Sequence, residues 1–173
     1  FKPDVIRAYC SAMNMIAEAM FDPGVKLEPP QVLVYVADAM SPRLKRMVMD
    51  ELGVQVYSEY SSVECLQLGY ECEEHRGYHL NEDSCAVRIV DDEYGSLPDG
   101  STGRVIVSNL VNRANVLLNY ELGDEAAIIP GQCGCGRTSR MVGLTLSRVA
   151  DRLKFEDGTE ISPIVFAQAV FGE

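Results

Sequence analysis

The chain has 173 residues and a mass of 19.1 kDa; 47% of it is hydrophobic and 24% charged, enough for one domain with its own core and too apolar for a disordered tail. Fifteen Lys and Arg against 26 Asp and Glu leave a formal charge of −11, which excludes a general nucleic-acid binder, since phosphate contacts need a basic face. No apolar run approaches the roughly 20 residues of a membrane span, so no membrane partner is expected. A small anionic ligand stays compatible, because local amides and one or two cations can hold it. Six cysteines are too sparse for a disulfide scaffold and fit reduced, cytoplasmic thiols. The sequence opens at Phe1 without an initiator Met and stops within an apolar stretch, as expected of a piece of a longer protein.

The elements read as α/β. Val5, Ile6, Tyr9, Met13, Ile16, Ala17 and Met20 recur at helical spacing, with Asp4 in the first turn and Pro23-Gly24 as the stop. Val32 to Val36 is an unbroken apolar run of strand length, the mark of a buried parallel strand. Ser41-Pro42 reads as N-cap and first residue of a second helix, closed by Gly53. Val54 to Tyr57 is the next strand, and strand–helix–strand order implies a parallel pair. After about residue 65 the chain becomes β-rich and antiparallel. Strands are expected at 85–90 and 104–110 around the Pro98-Asp99-Gly100 turn, and two short ones at 117–120 and 126–129. Residues 152–161 read as a hairpin around Glu156-Asp157-Gly158, and Ser162-Pro163 as another helix start.

Two groups of residues carry chemistry. Cys72, His75, His79, Cys133 and Cys135 supply the thiolate and imidazole ligands of a tetrahedral zinc site. Cys72-Glu73-Glu74-His75 is one hook of suitable spacing, and Cys133-Gly134-Cys135 a tight second one. Either His75, the better-spaced, or His79, at a strand start, completes the set. Four protein ligands would close the site, making it structural rather than catalytic. The second group is Tyr57 to Glu64, a polar segment directly after a parallel strand, where open α/β sheets bind ligands. Its hydroxyls can donate to phosphate and its Glu64 can hold Mg²⁺. A second carboxylate, Asp124, closes Tyr120-Glu121-Leu122-Gly123-Asp124.

The order of these segments, Tyr60-Ser-Ser-Val-Glu64, then Tyr120-Glu-Leu-Gly-Asp124, then Ser147-Arg-Val-Ala-Asp-Arg-Leu-Lys154, resembles the adenylate-forming superfamily of acyl-CoA synthetases, luciferases and peptide-synthetase adenylation domains. Cys72 to Asp83 and the Cys133-Gly-Cys-Gly-Arg137 segment look most like its branch of phenylacetate-CoA ligases and coenzyme F390 synthetase-like proteins. The resemblance implies the later part of a large AMP-binding domain at residues 1–146, a hinge at 147–152 and the start of a small domain at 153–173.

It also implies residue roles. The Tyr60 ring would stack on adenine, a hydroxyl from Ser61 or Ser62 would meet the α-phosphate, and Glu64 would serve Mg²⁺. Ser61 stands where the family has Gly, and Val63 where it has Thr. Asp124 would accept from the ribose hydroxyls, Arg148 would lie near ribose and phosphate, and Asp151 would be the hinge. Val36 to Met40 occupies the place of a Gly-rich adenine-contacting turn, without the glycine. The implied parent activates a small carboxylic acid with Mg·ATP and passes the acyl group to coenzyme A. The family's phosphate loop and catalytic Lys do not occur here, so the piece alone is expected to be inactive. Homodimerisation, frequent in that branch, is the self-association it suggests. An adenylating enzyme with another acceptor, and a degenerate zinc-braced interaction module, are the competing readings.

Overall fold

The computed structural model describes residues 2–148 and 153–161. Its elements are β1 (Val5–Tyr9), α1 (Cys10–Ala19), β2 (Val32–Val36), α2 (Pro42–Leu52), β3 (Gln55–Ser62), β4 (Leu66–Glu71), β5 (Tyr78–Leu80), β6 (Cys85–Val90), β7 (Gly103–Asn109), β8 (Tyr120–Ile129), β9 (Met141–Arg148), β10 (Leu153–Lys154) and β11 (Glu160–Ile161). One nine-stranded mixed sheet has the order β1-β2-β3-β4-β5-β9-β8-β7-β6. β1, β2 and β3 are parallel, and every later pairing is antiparallel. The expected parallel βαβ portion and β-rich portion are therefore halves of a single sheet that change direction at β3. The β10–β11 hairpin pairs separately. Among the described residues no helix is long and apolar enough to cross a membrane.

α1 and α2 cover one face of the parallel strands. Met13, Ala17, Leu33, Val48, Val54 and Val56 form that core. The antiparallel half curls around a second core of Leu68, Leu80, Val87, Val105, Val107 and Val142. The curl brings strands distant in sheet order together: the Cys85 thiol on β6 points at the Leu68 carbonyl on β4, at 3.8 Å. Each fully buried Leu or Val in these cores contributes about 1.5–3 kcal/mol relative to exposure.

Three expectations are corrected. The helix expected from Val5 begins only at Cys10, because Val5 to Tyr9 pair residue for residue with Val32 to Val36 as a parallel strand. Their β-branched side chains suit that ladder, and the apparent helical period spans two elements. Ser41 precedes α2, but its hydroxyl makes no cap bond; Pro42 and the left-handed Gly53 (φ 67°) mark the ends. Of the two short strands expected at 117–120 and 126–129, residues 117–119 lie outside any strand, and Tyr120 to Ile129 form one strand, β8, with a left-handed Gly123 (φ 84°) and register shifts against both neighbours.

Candidate functional site

The Tyr57–Glu64 segment is not a loop. β3 runs through it to Ser62, and only residues 63–65 turn before β4. Tyr60 is buried, its ring 5.9 Å from that of Tyr78. A register shift at Tyr60/Ser61 breaks the ladder with β4. The Ser62 hydroxyl accepts the Cys65 amide at 3.1 Å and so closes the turn. Val63, in the place of the family's Thr, is 95% exposed. The backbone carbonyl of Glu64 accepts from the Asn109 side chain at 2.9 Å, and its carboxylate accepts from the Tyr120 hydroxyl at 3.2 Å.

β8 supplies the opposite wall. The Asp124 carboxylate accepts from the Tyr60 hydroxyl at 2.9 Å. The two segments are thus tied crosswise, the tyrosine of each bonding the carboxylate of the other. Alternation along β8 puts Tyr120, Leu122 and Asp124 on the face toward the Tyr60–Glu64 segment, with Leu122 against the core, while Glu121 meets Arg104 at 3.2 Å. The 36–40 turn faces the same space, and Ala37 adopts the left-handed φ of 77° that a glycine would take freely. Together these walls enclose an open cavity of about 1450 Å³ whose lining includes Tyr9, Asp38, Tyr60, Glu64, Asp124 and Thr145. Ser61 and Ser62 line it as well. Arg148 pairs in register with Asp124, which puts its backbone at the same edge. Asp151 lies outside the described residues.

The cysteine and histidine group sits elsewhere. Cys72 directly follows β4, His79 lies in β5, and Cys133 and Cys135 occupy the turn before β9. Their ligand atoms all fall within 4.8 Å of one another. Cys72 Sγ lies 3.7 Å from Cys133 Sγ, and Cys135 Sγ lies 3.3 Å from His79 Nε2. The other imidazole nitrogen, Nδ1, is 3.2 Å from the Ser139 hydroxyl, a partner that fixes the ring. Gly131 and Gly136, at φ 84° and 83°, let the backbone wrap the group.

Burial pushes the Cys72 thiol up to about 11. At Cys135 burial also opposes ionisation, but hydrogen bonds from Arg137, Cys133 and Cys72 outweigh it and bring the thiol down to about 6. The donor set of three thiols and one imidazole fits zinc.

His75 does not join this group. It lies 3.1 Å from the Glu71 carboxylate, stacks on Tyr57 and approaches Lys45 at 3.4 Å. Glu71 also binds Lys45 through both oxygens, at 3.0 and 2.9 Å, and accepts the Ser58 amide at 2.9 Å. The sequence carried a sign of this division: His79 stands between Tyr78 and Leu80, as a buried strand residue does, and it is fully buried. The Tyr120–Glu64 and Glu71–Lys45 contacts had no signal in the sequence, since each joins residues far apart in the chain.

No protein-family model matches the chain. Among curated proteins it is 32% identical over 159 residues to the phenylacetate-coenzyme A ligase of Thermus thermophilus and 26% identical over 159 residues to that of Pseudomonas putida. This chain is a relative of the phenylacetate-coenzyme A ligases. Both alignments cover 88% of the chain but 36% of the ligase, so the chain corresponds to about a third of its curated relatives' length. Solved structures agree on the fold. A 2-hydroxyisobutyryl-CoA ligase, in the postadenylation state with an acyl-AMP, superposes with a TM-score of 0.82 at 20% identity over 99% of this chain and 38% of that one. An anthranilate CoA ligase in complex with anthranoyl-AMP gives 0.67 at 16% identity over 98% and 34%. The mixed sheet of this ligase relative is thus part of the adenylate-forming fold.

Proposed function

We propose that residues 1–146 are the later part of the large domain, 147–152 the hinge and 153–173 the start of the small domain of an AMP-forming acid–thiol ligase of the cytoplasm. Its substrate would be a small aromatic carboxylic acid. The carboxylate oxygen attacks the α-phosphorus of ATP and pyrophosphate leaves; the coenzyme A thiol then attacks the acyl carbon and AMP leaves. What supports this most is the crosswise tie of Tyr60–Glu64 to Tyr120–Asp124 around one cavity, in a chain whose relatives are such ligases.

Asp124 would accept from the ribose hydroxyls, as a carboxylate facing a vicinal diol does, with Arg148 beside it and Tyr60 toward the adenine. Ser61 or Ser62 would donate to the phosphate; the Ser62 oxygen accepts the Cys65 amide, which leaves its O–H available to donate. Mg²⁺ is commonly held by one or two carboxylates plus substrate phosphates, and Glu64 in the cavity wall fits that pattern. When bound, the ion would neutralise phosphate charge. Asp151 would let the small domain move between the two half-reactions. Cys72, His79, Cys133 and Cys135 would hold a structural zinc.

In the full-length protein, ATP–pyrophosphate exchange driven by a panel of aromatic acids, followed by coenzyme A consumption, tests the reading. Glu64→Gln and Asp124→Asn should each lower exchange roughly ten- to hundredfold, the value of a hydrogen bond to a charged group. Exchange without coenzyme A consumption points to another acceptor. No exchange and no ATP binding would instead favour the degenerate module, for which Val63, a cavity-lining residue without a hydroxyl, argues.

A further inference from the structure

Glu64 stands at the tip of a three-residue turn. Its backbone is pinned by Asn109, but a glutamate side chain has several rotamers and needs a second anchor to hold one of them. Tyr120 is the residue that reaches it. Packing does not account for this tyrosine, which is 38% exposed.

Its delivery is costly. Asn119, just before it, is left-handed at φ 52°, a conformation that asparagine tolerates better than most residues. The Asn119 amide is held by the Ser108 hydroxyl at 2.9 Å, and its side-chain oxygen accepts from Arg88 at 3.4 Å. A strained residue held from two sides, aiming a phenol at a carboxylate, is the pattern of a built contact. A tyrosine has only two side-chain torsions, so its hydroxyl is a stiff ruler between β8 and the turn.

We propose that Tyr120 is a positioning residue that fixes the Glu64 carboxylate in the orientation that receives the nucleotide's divalent cation. This rests on the reading of Glu64 given above. The crossed partner, Tyr60 on Asp124, would do the same for the ribose side. A cation arriving with ATP would then meet a carboxylate already in place.

The test uses the full-length enzyme and Mn²⁺ as a spectroscopic stand-in for Mg²⁺. Mn²⁺ binding in the presence of ATP is read by electron paramagnetic resonance, without turnover. Tyr120→Phe keeps the ring and removes only the hydroxyl. It should weaken Mn²⁺ binding about three- to tenfold, the range of one hydrogen bond. It should raise the Mg²⁺ concentration for half-maximal adenylation by a similar factor and leave the KM of the carboxylic acid unchanged. Ser108→Ala, which frees the Asn119 turn, should shift Mn²⁺ binding in the same direction by less. In a Glu64→Gln background Tyr120→Phe should add less than about twofold, since the two act as one unit. Unchanged Mn²⁺ affinity in a folded Tyr120→Phe protein, or the same decrement without Glu64, overturns the proposal while the ligase reading stands. A wild-type enzyme that binds no Mn²⁺ with ATP and forms no adenylate overturns both.

Discussion

Zinc removal is the perturbation whose size follows most directly from the structure. Cys72 and Cys133 are separated by 61 positions, and their sulfurs lie 3.7 Å apart. An ion bridging them would close that loop in the unfolded chain. Treated as a cross-link, a loop of this length is worth about 4 kcal/mol of denatured-state entropy. A domain of 150–250 residues loses roughly 2–4 °C of melting temperature per kcal/mol, so stripping the ion should cost about 10 °C. The assay is elemental analysis of protein purified without added zinc, with thermal melts before and after a strong chelator. About one zinc per chain and a drop of that size are expected. The two histidines supply the internal control. His79→Gln should abolish zinc retention, because His79 faces Cys135 at 3.3 Å. His75→Gln should retain zinc, because His75 is engaged with Glu71 instead. Metal-free protein indifferent to chelation, or zinc lost through His75→Gln, would refute the reasoning.

Three further outcomes are expected. Ala37→Gly should stabilise by roughly 0.5–1 kcal/mol in denaturant melts, since Ala37 is exposed and left-handed, and relief of that backbone cost outweighs the extra entropy of glycine. Glu71→Ala should cost about 3 kcal/mol, because it strands the mostly buried Lys45 ammonium and the Ser58 amide; a loss below about 1 kcal/mol would show the network to be dispensable. In metal-free, reduced protein the Cys135 thiol ionises near pH 6 when folded and near 9 when unfolded. Between those values the unfolded chain carries the extra proton, so this group's contribution is complete above pH 9 and is lost as pH falls through 6. Cys72, raised to about 11, works the other way only above pH 9. Melts from pH 6 to 9 should therefore rise in the wild type and flatten in Cys135→Ser.

The legible parts of the fold were those with a local physical cause. Val32 to Val36 could only be a buried strand, and Pro42 with Gly53 bounded α2. β6 alternates plainly and β7 carries an apolar run, Val105 to Val107, on either side of a turn whose Gly100 is left-handed at φ 85°. β1 was not legible, because five residues carry too little periodicity to be separated from the helix that follows without sight of β2. β4 was missed for the same reason: it is short, and its Gly69 lies so close to the His79 carbonyl that a side chain there is excluded; β5 was expected only as a strand start at His79, which it contains. At the site, residue types were legible and partners were not. Chain order located Tyr60, Glu64 and Asp124, but only the curl of the sheet shows that each tyrosine bonds the other segment's carboxylate. The cysteines were legible as a candidate ligand set, and the structure gathers Cys72, Cys133 and Cys135 around His79, while the choice between His75 and His79 depended on how the 72–79 connection turns back into β5.

The same strands join both sites, and this bears on what the metal group can do. β4 runs from Leu66, beside the Glu64 turn, to Glu71, beside Cys72. β9 runs from Met141, which packs with Cys72 and Cys133, to Arg148, paired with Asp124. β8 likewise runs from Tyr120 and Asp124 to Ile129, which packs against the cysteines. Six strand residues span roughly 17 Å, so the two sites sit at opposite ends of the same strands. An ion held there would be too far to touch a ligand in the cavity; it would clamp the far ends of strands whose near ends carry the carboxylates. Well below the melting transition, chelation should therefore lower stability and leave the KM for ATP and the Mg²⁺ dependence of adenylation unchanged. Near the transition, both should fail together as the strands separate. A KM for ATP that rises on chelation at low temperature, before any loss of structure by circular dichroism, would show that the clamp also sets the geometry of Glu64 and Asp124.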